Sequence, residues 1–269
     1  MAWAIFFETL RREWRTMLFW GIGIGAIAYF NVIAVPSVNG MQATAEAIAK
    51  MPPFILQMLG GGDLQFLASP AGFLNNQYYA IILVIFGIYA IIAGLNVTAN
   101  EEDRGIMDVL LSLPVPRWRL VLEKFLAYSV LAAGVIVIST IALLLSVQMT
   151  PAVTVPTATL LEASFSILPG TLTMLALTVF IATLVRRKNL AAALASVFLI
   201  GSWFIDVIGR TVTTSFLNTA RVISFYAYYD TEGVMQHGLS LGNILVPLAA
   251  TAVLVVGALW AFQRRNISV

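Results

Sequence analysis

Apolar residues run along this chain in long blocks separated by short groups of charge. Six blocks stand out, at about residues 17–35, 78–97, 125–147, 167–185, 190–208 and 244–262. Five of them lack Lys, Arg, Asp and Glu; the block at 190–208 carries one acid, Asp206, near its end. A helix of about 20 mostly apolar residues crosses the hydrocarbon core of a bilayer, so the blocks predict six spans. Ahead of the first, Trp3, Phe6, Phe7, Leu10, Trp14 and Met17 recur at helical spacing, with Glu8, Arg11, Arg12 and Arg15 filling the opposite face. That pattern predicts an interfacial helix over about 2–16, lying in the headgroup plane. The alternative is a plain extension of the first span. No small-residue cleavage site follows the first block, so a cleaved signal peptide is not expected.

Composition sharpens this picture. Of 269 residues, 60% are hydrophobic and 10% charged, against about 25% charged in an ordinary soluble domain. A water-soluble enzyme or a nucleic-acid binder is therefore not expected. Without cysteine there is no disulfide, thiolate or Cys-ligated metal chemistry, and the single histidine, His237, cannot form a ligand cluster. The expected fold class is all-α, a polytopic membrane protein forming one transmembrane domain over residues 1–269.

The basic residues set the orientation. Arg11, Arg12, Arg15, Arg104, Arg117, Arg119, Lys124, Arg186, Arg187, Lys188, Arg264 and Arg265 fall on one side of the predicted spans. Only Lys50, Arg210 and Arg221 fall on the other. Cytoplasmic loops hold the excess of Lys and Arg, which predicts both termini in the cytoplasm of a multi-pass cell-membrane protein. The long outer connections, 36–77 and 209–243, are read either as re-entrant caps or as interfacial anchors; the second holds the aromatic cluster Phe225, Tyr226, Tyr228 and Tyr229. Gly21, Gly23 and Gly25, and the small residues Ala191, Ala192, Ala195 and Ser196, suit close helix packing, either within the chain or at a dimer seam. Asn31 and Asn96 are read as helix–helix hydrogen-bonding residues. Asp206 and Arg210 are spaced to pair as i,i+4 neighbours at the outer end of the fifth span.

The segment between spans two and three is the most organised polar stretch. Glu101, Glu102 and Asp103 crowd a predicted helix N-terminus, where negative charge is stabilised. Ile106, Val109, Leu110 and Leu113 then form an apolar stripe, and Pro114 and Pro116 end the element. A short amphipathic helix held between two spans suits docking into a groove on a partner.

Here the chain resembles the ABC-2 type transporter permeases. Their cytoplasmic signature runs roughly E-E-x-x-G-T-x-E-x-L-L-S-x-P-V-S-R followed by a Lys. It is matched by Glu101, Glu102, Gly105, Asp108, Leu110, Leu111, Ser112, Pro114, Val115, Arg117 and Lys124, with Ile106 and Pro116 departing from it. Phe262–Ile267 is similar to the family's F-x-x-R-D-I, with Asn266 in place of Asp. The resemblance implies the membrane subunit of an ATP-driven exporter. A second permease chain would complete the pathway, and two soluble ATPase subunits would bind Glu101, Glu102, Asp103, Arg104, Gly105, Asp108, Leu110, Leu113 and Pro114. ATP and magnesium would sit on those partners, and this chain carries no G-x-x-x-x-G-K-[ST] loop. An ion-coupled secondary transporter is the main alternative, with a membrane-embedded enzyme behind it. The first would place ionisable residues at mid-membrane, where only Asp206 comes close. The second would need a nucleophile with its base.

Overall fold

Residues 3–34, 69–106, 115–151, 153–185, 187–211 and 221–264, with positions 46, 47, 50, 52 and 66, are described by a computed structural model. Among them there is no strand, and six stretches are long and apolar enough to cross a membrane. In chain order the helices are α1 (Ala4–Ile33), α2 (Pro70–Leu95), α3 (Ala99–Asp103), α4 (Arg117–Met149), α5 (Thr157–Phe165), α6 (Ile167–Leu184), α7 (Lys188–Thr211), α8 (Thr231–His237) and α9 (Leu241–Arg264). Each predicted span lies within one of these elements to within two residues at its ends. The apolar blocks thus locate the spans, while tertiary contacts lengthen them.

Spans two and four form the centre. Their apolar windows are 67% buried, against 28%, 28% and 22% for α1, α7 and α9, and α6 packs on α2, α4, α7 and α9. Lipid tails are as apolar as leucine, so association in a bilayer rests on close packing. Small residues supply it between α1 and α4. A Cβ on Gly21 would lie 2.8 Å from Cβ of Ile138, one on Gly25 2.8 Å from Cβ of Ala142, and one on Gly134 2.3 Å from the Met17 sulfur. These pairs share one sequence offset, so α1 and α4 run parallel and in register. Gly21 and Gly25 therefore serve packing inside the chain, whereas Gly23 meets nothing within 4 Å.

That register corrects the reading of the N-terminus. Instead of a separate interfacial helix over 2–16, α1 continues unbroken from Ala4 through the first span. No proline interrupts it. Ile5, Leu10 and Met17, drawn from the amphipathic segment, pack against the core of the chain, while Trp3, Phe7 and Trp14 stay exposed.

At the opposite end of the bundle, the described part of the connection after α7, from residue 221 on, folds inward. The aromatic cluster does not stand out as an anchor: Phe225, Tyr226 and Tyr229 are buried, and only Tyr228 is partly exposed. A π-helical turn at Asn75–Tyr79 shifts the ladder of α2, which leaves carbonyls in need of outside donors. The Tyr229 hydroxyl donates to the Tyr79 carbonyl at 3.0 Å, and the Thr231 hydroxyl to Asn75 Oδ1 at 2.5 Å. Tyr79 in turn reaches the Leu160 carbonyl and the Ser164 hydroxyl of α5. The segments beside α2, α5 and α8 are thereby tied into one cap.

Candidate functional site

The predicted docking segment begins where α2 ends. Asn96 caps α2, and α3 starts at Ala99 behind Thr98. Glu101 and Glu102 lie in the first turn of α3, where the helix terminus stabilises their charge. The helix itself, however, is shorter than the stripe predicts. It closes at Asp103, with Gly105 at φ 67°, the Gly105 amide donating to the Glu102 carbonyl at 3.0 Å and the Ile106 amide to the Glu101 carbonyl at 2.9 Å. This paired capping arrangement needs a left-handed residue, which glycine adopts without a Cβ penalty. Gly105 thus ends a helix rather than sitting inside one. Asp108, Val109, Leu110, Leu113 and Pro114 lie outside the described residues. The backbone is described again from Val115, and Pro116 precedes the first turn of α4.

Side chains fasten α3 to the spans. The carboxylate of Glu101 pairs with Nζ of Lys124 in α4, the two side chains being 15% and 6% exposed. Lys124 also faces the Val97 carbonyl at 3.5 Å. Beside this pair, Asn100 donates to Asn96 Oδ1 at 2.6 Å and accepts from Nζ of Lys188, the first residue of α7, at 2.7 Å. Five residues of α3 are therefore connected to α2, α4 and α7 together. Glu101 is turned inward, Glu102 is partly exposed, and Asp103, Arg104 and Ile106 are exposed.

A second junction lies at the neighbouring residue of α4. Glu123 of α4 is buried; its Oε2 accepts the Ile5 and Phe6 amides at 3.1 and 3.2 Å, and its Oε1 accepts Nε of Arg119 at 2.5 Å. The first amides of a helix have no partner within it, so a carboxylate from another helix completes the start of α1. Beside the first junction is a polar cavity of about 250 Å³, its walls including Thr9, Arg12, Glu13, Asn100, Arg104 and Tyr128.

Glu123, Asn100 and Lys188 escaped the sequence reading. The i,i+4 spacing of Arg119 and Glu123 was a visible signal; the amides that Glu123 caps are 118 and 117 positions away and were not. Asp206 also has a partner that the sequence reading did not name. Nε of Arg221, in the outer connection, meets Asp206 Oδ1 at 2.8 Å, whereas the side chain of Arg210 lies outside the described residues. Close by, Ser202 and Ser224 are joined at 2.8 Å. Burial, reinforced by the Asp206 charge, pushes the Tyr226 hydroxyl well above the usual phenol range, and it is buried without a hydrogen-bond partner. Asn31 donates to the Ile27 carbonyl of its own helix at 2.8 Å, and among the described residues it joins no second helix. His237 is exposed. Among the described residues, no three His, Asp or Glu side chains converge as a metal-ligand set.

At the basic end, then, a short helix is held to α4 by an ion pair and, through Asn100, to α2 and α7 by hydrogen bonds. Residues 11–267 match the family model described as ABC-2 family transporter protein. No individual curated protein matches the chain.

Proposed function

The chain belongs to the ABC-2 transporter family, and from that membership we propose that it is the permease of an ATP-driven exporter whose nucleotide chemistry resides on separate subunits. A membrane transport subunit of this family generally works with ATPase partners and in pairs of permeases. On this reading two copies, or this chain and a related one, enclose the pathway in the cell membrane with both termini in the cytoplasm. Two soluble ATPase subunits, carrying ATP and magnesium, dock on the segment that begins at α3.

The observation that carries the reading is the anchoring of α3. Glu101 and Asn100 hold it to α4 and α7 through Lys124 and Lys188. Glu102, Asp103 and Ile106 remain at least partly exposed on its outer side. A push delivered to that face is passed to two spans at once, because buried charge-assisted contacts resist separation. Asp108, Leu110, Leu113 and Pro114 would extend the docking face, as the family resemblance implies. Rim charges set encounter and specificity, and apolar anchors set affinity.

The test is purification of the tagged full chain from its native membranes, with Glu102 and Asp103 both changed to Lys. An ATPase subunit should copurify with the wild type and be lost from the variant, while the variant still inserts and elutes as a folded protein. An unchanged ATPase yield together with unchanged ATP-driven transport would leave the segment a solvated connector and overturn the coupling role.

A further inference from the structure

The cavity beside α3 has features that coupling does not use. Its interior groups are already engaged: Lys124 pairs with Glu101, and Asn100 donates to Asn96. Its rim differs. The Arg12 side chain is 57% exposed and meets Glu13 only at 3.6 Å, beyond hydrogen-bonding range. Arg104 is exposed and makes no ion pair among the described residues. Arg12, Arg104 and Lys124 against Glu13 and Glu101 leave the lining with one net positive charge.

The depth of the cavity is marked independently. Trp3, Trp14 and Trp118 are exposed around this end of the bundle, and exposed tryptophans settle at headgroup level. Trp14 directly follows the lining residue Glu13. Basic pockets between spans at that depth bind lipid phosphates. About 250 Å³ accommodates a phosphodiester and several waters, at roughly 30 Å³ for each water.

We propose that this cavity binds the phosphodiester headgroup of an anionic lipid of the leaflet it faces, which is the inner leaflet in the orientation given above. Arg12 and Arg104 pair with the phosphate oxygens. Arg12 belongs to α1 and Arg104 caps α3, so the bound headgroup bridges two elements that otherwise meet through α4. Lipid occupancy thereby sets how firmly the docking segment is held against the first span.

The experiment uses the full chain in phosphatidylcholine nanodiscs with and without phosphatidylglycerol, reading retained lipid by native mass spectrometry and the thermal midpoint in parallel. Wild type should retain phosphatidylglycerol and gain in midpoint. Arg12→Gln and Arg104→Gln should each weaken retention about fivefold, the worth of one basic contact at a membrane surface. Arg12→Lys and Arg104→Lys, which keep the charge, should retain most of it. Arg15→Gln, on an arginine that lies 5.5 Å from the Trp14 ring and outside the cavity, should change nothing. Equal losses at Arg12, Arg104 and Arg15 would mean diffuse surface attraction and overturn the site. A midpoint gain from inorganic phosphate alone, dependent on Arg12 and Arg104, would assign the cavity to a soluble phosphate and overturn the lipid assignment. None of these readouts involves the ATPase, so failure here leaves the coupling reading standing.

Discussion

The carboxylate of Glu123 accepts the backbone amide of Ile5 at 3.1 Å across 118 positions of sequence. One buried acid therefore starts α1 and fixes it against α4, with Phe6 and Arg119 as its other partners.

Replacing that acid exposes the cost. Glu123→Ala leaves two amides and the Arg119 guanidinium without their acceptor, and a hydrogen bond to a charged group contributes about 1.5–3 kcal/mol. The variant should be destabilised by roughly 2 kcal/mol or more, and Glu123→Gln, which keeps one acceptor oxygen, by less. Thermal unfolding in detergent checks this. Equal midpoints for all three proteins would remove the capping role.

The pairing of Glu101 with Lys124 makes an asymmetric prediction. Lys124→Met leaves a carboxylate in a site only 15% exposed, and breaking a buried pair from one side costs about 3–5 kcal/mol. Glu101→Gln combined with Lys124→Met removes both charges and should restore most of that loss. A double-mutant cycle on chemical or thermal unfolding measures the coupling; additive effects of the two changes would show that the pair does not act as one.

Gly21 and Gly23 should respond to alanine with opposite signs. At Gly21 the new Cβ meets the branched Cβ of Ile138 at 2.8 Å, and overpacking of this kind costs about 1–3 kcal/mol. At Gly23 there is open space, so the gain in helix propensity, up to about 1 kcal/mol, decides. Pairing Gly21→Ala with Ile138→Ala should recover stability. A destabilising Gly23→Ala would indicate that this face is covered by another chain.

The outer cap offers a reversible lock. Ser202 and Ser224 oxygens are 2.8 Å apart, and the chain has no native cysteine. Ser202→Cys with Ser224→Cys should oxidise to a disulfide, seen as loss of thiol labelling in the intact protein. If transport needs the 221–229 segment to leave α7, oxidation should abolish transport and a reductant should restore it. Full transport by the oxidised protein would show that this segment stays in place throughout the cycle.

Local sequence determined where the chain crosses the membrane. Span positions follow from uninterrupted apolar runs, because a bilayer imposes a length on each helix irrespective of its neighbours. The acid-rich start of α3 was legible for a similar reason, since charge at a helix terminus is a nearest-neighbour effect, whereas Gly105, read inside a longer helix, ends a short one. What depended on distant partners was decided only by the fold. The stripe from Trp3 to Met17 suits a bilayer surface or a neighbouring helix equally well, and the fold divides it: Leu10 and Met17 pack on the core while Trp3, Phe7 and Trp14 stay exposed. Asp206 has a basic residue four positions on, and the fold brings it a second one, Arg221, from 15 positions away. Phe225, Tyr226 and Tyr229 have the composition of an interfacial belt, yet they turn inward because the π turn of α2 offers Tyr229 a carbonyl. In each case hydropathy is blind to the outcome, since several partners satisfy the same polar or apolar group and only the three-dimensional packing determines which is in reach.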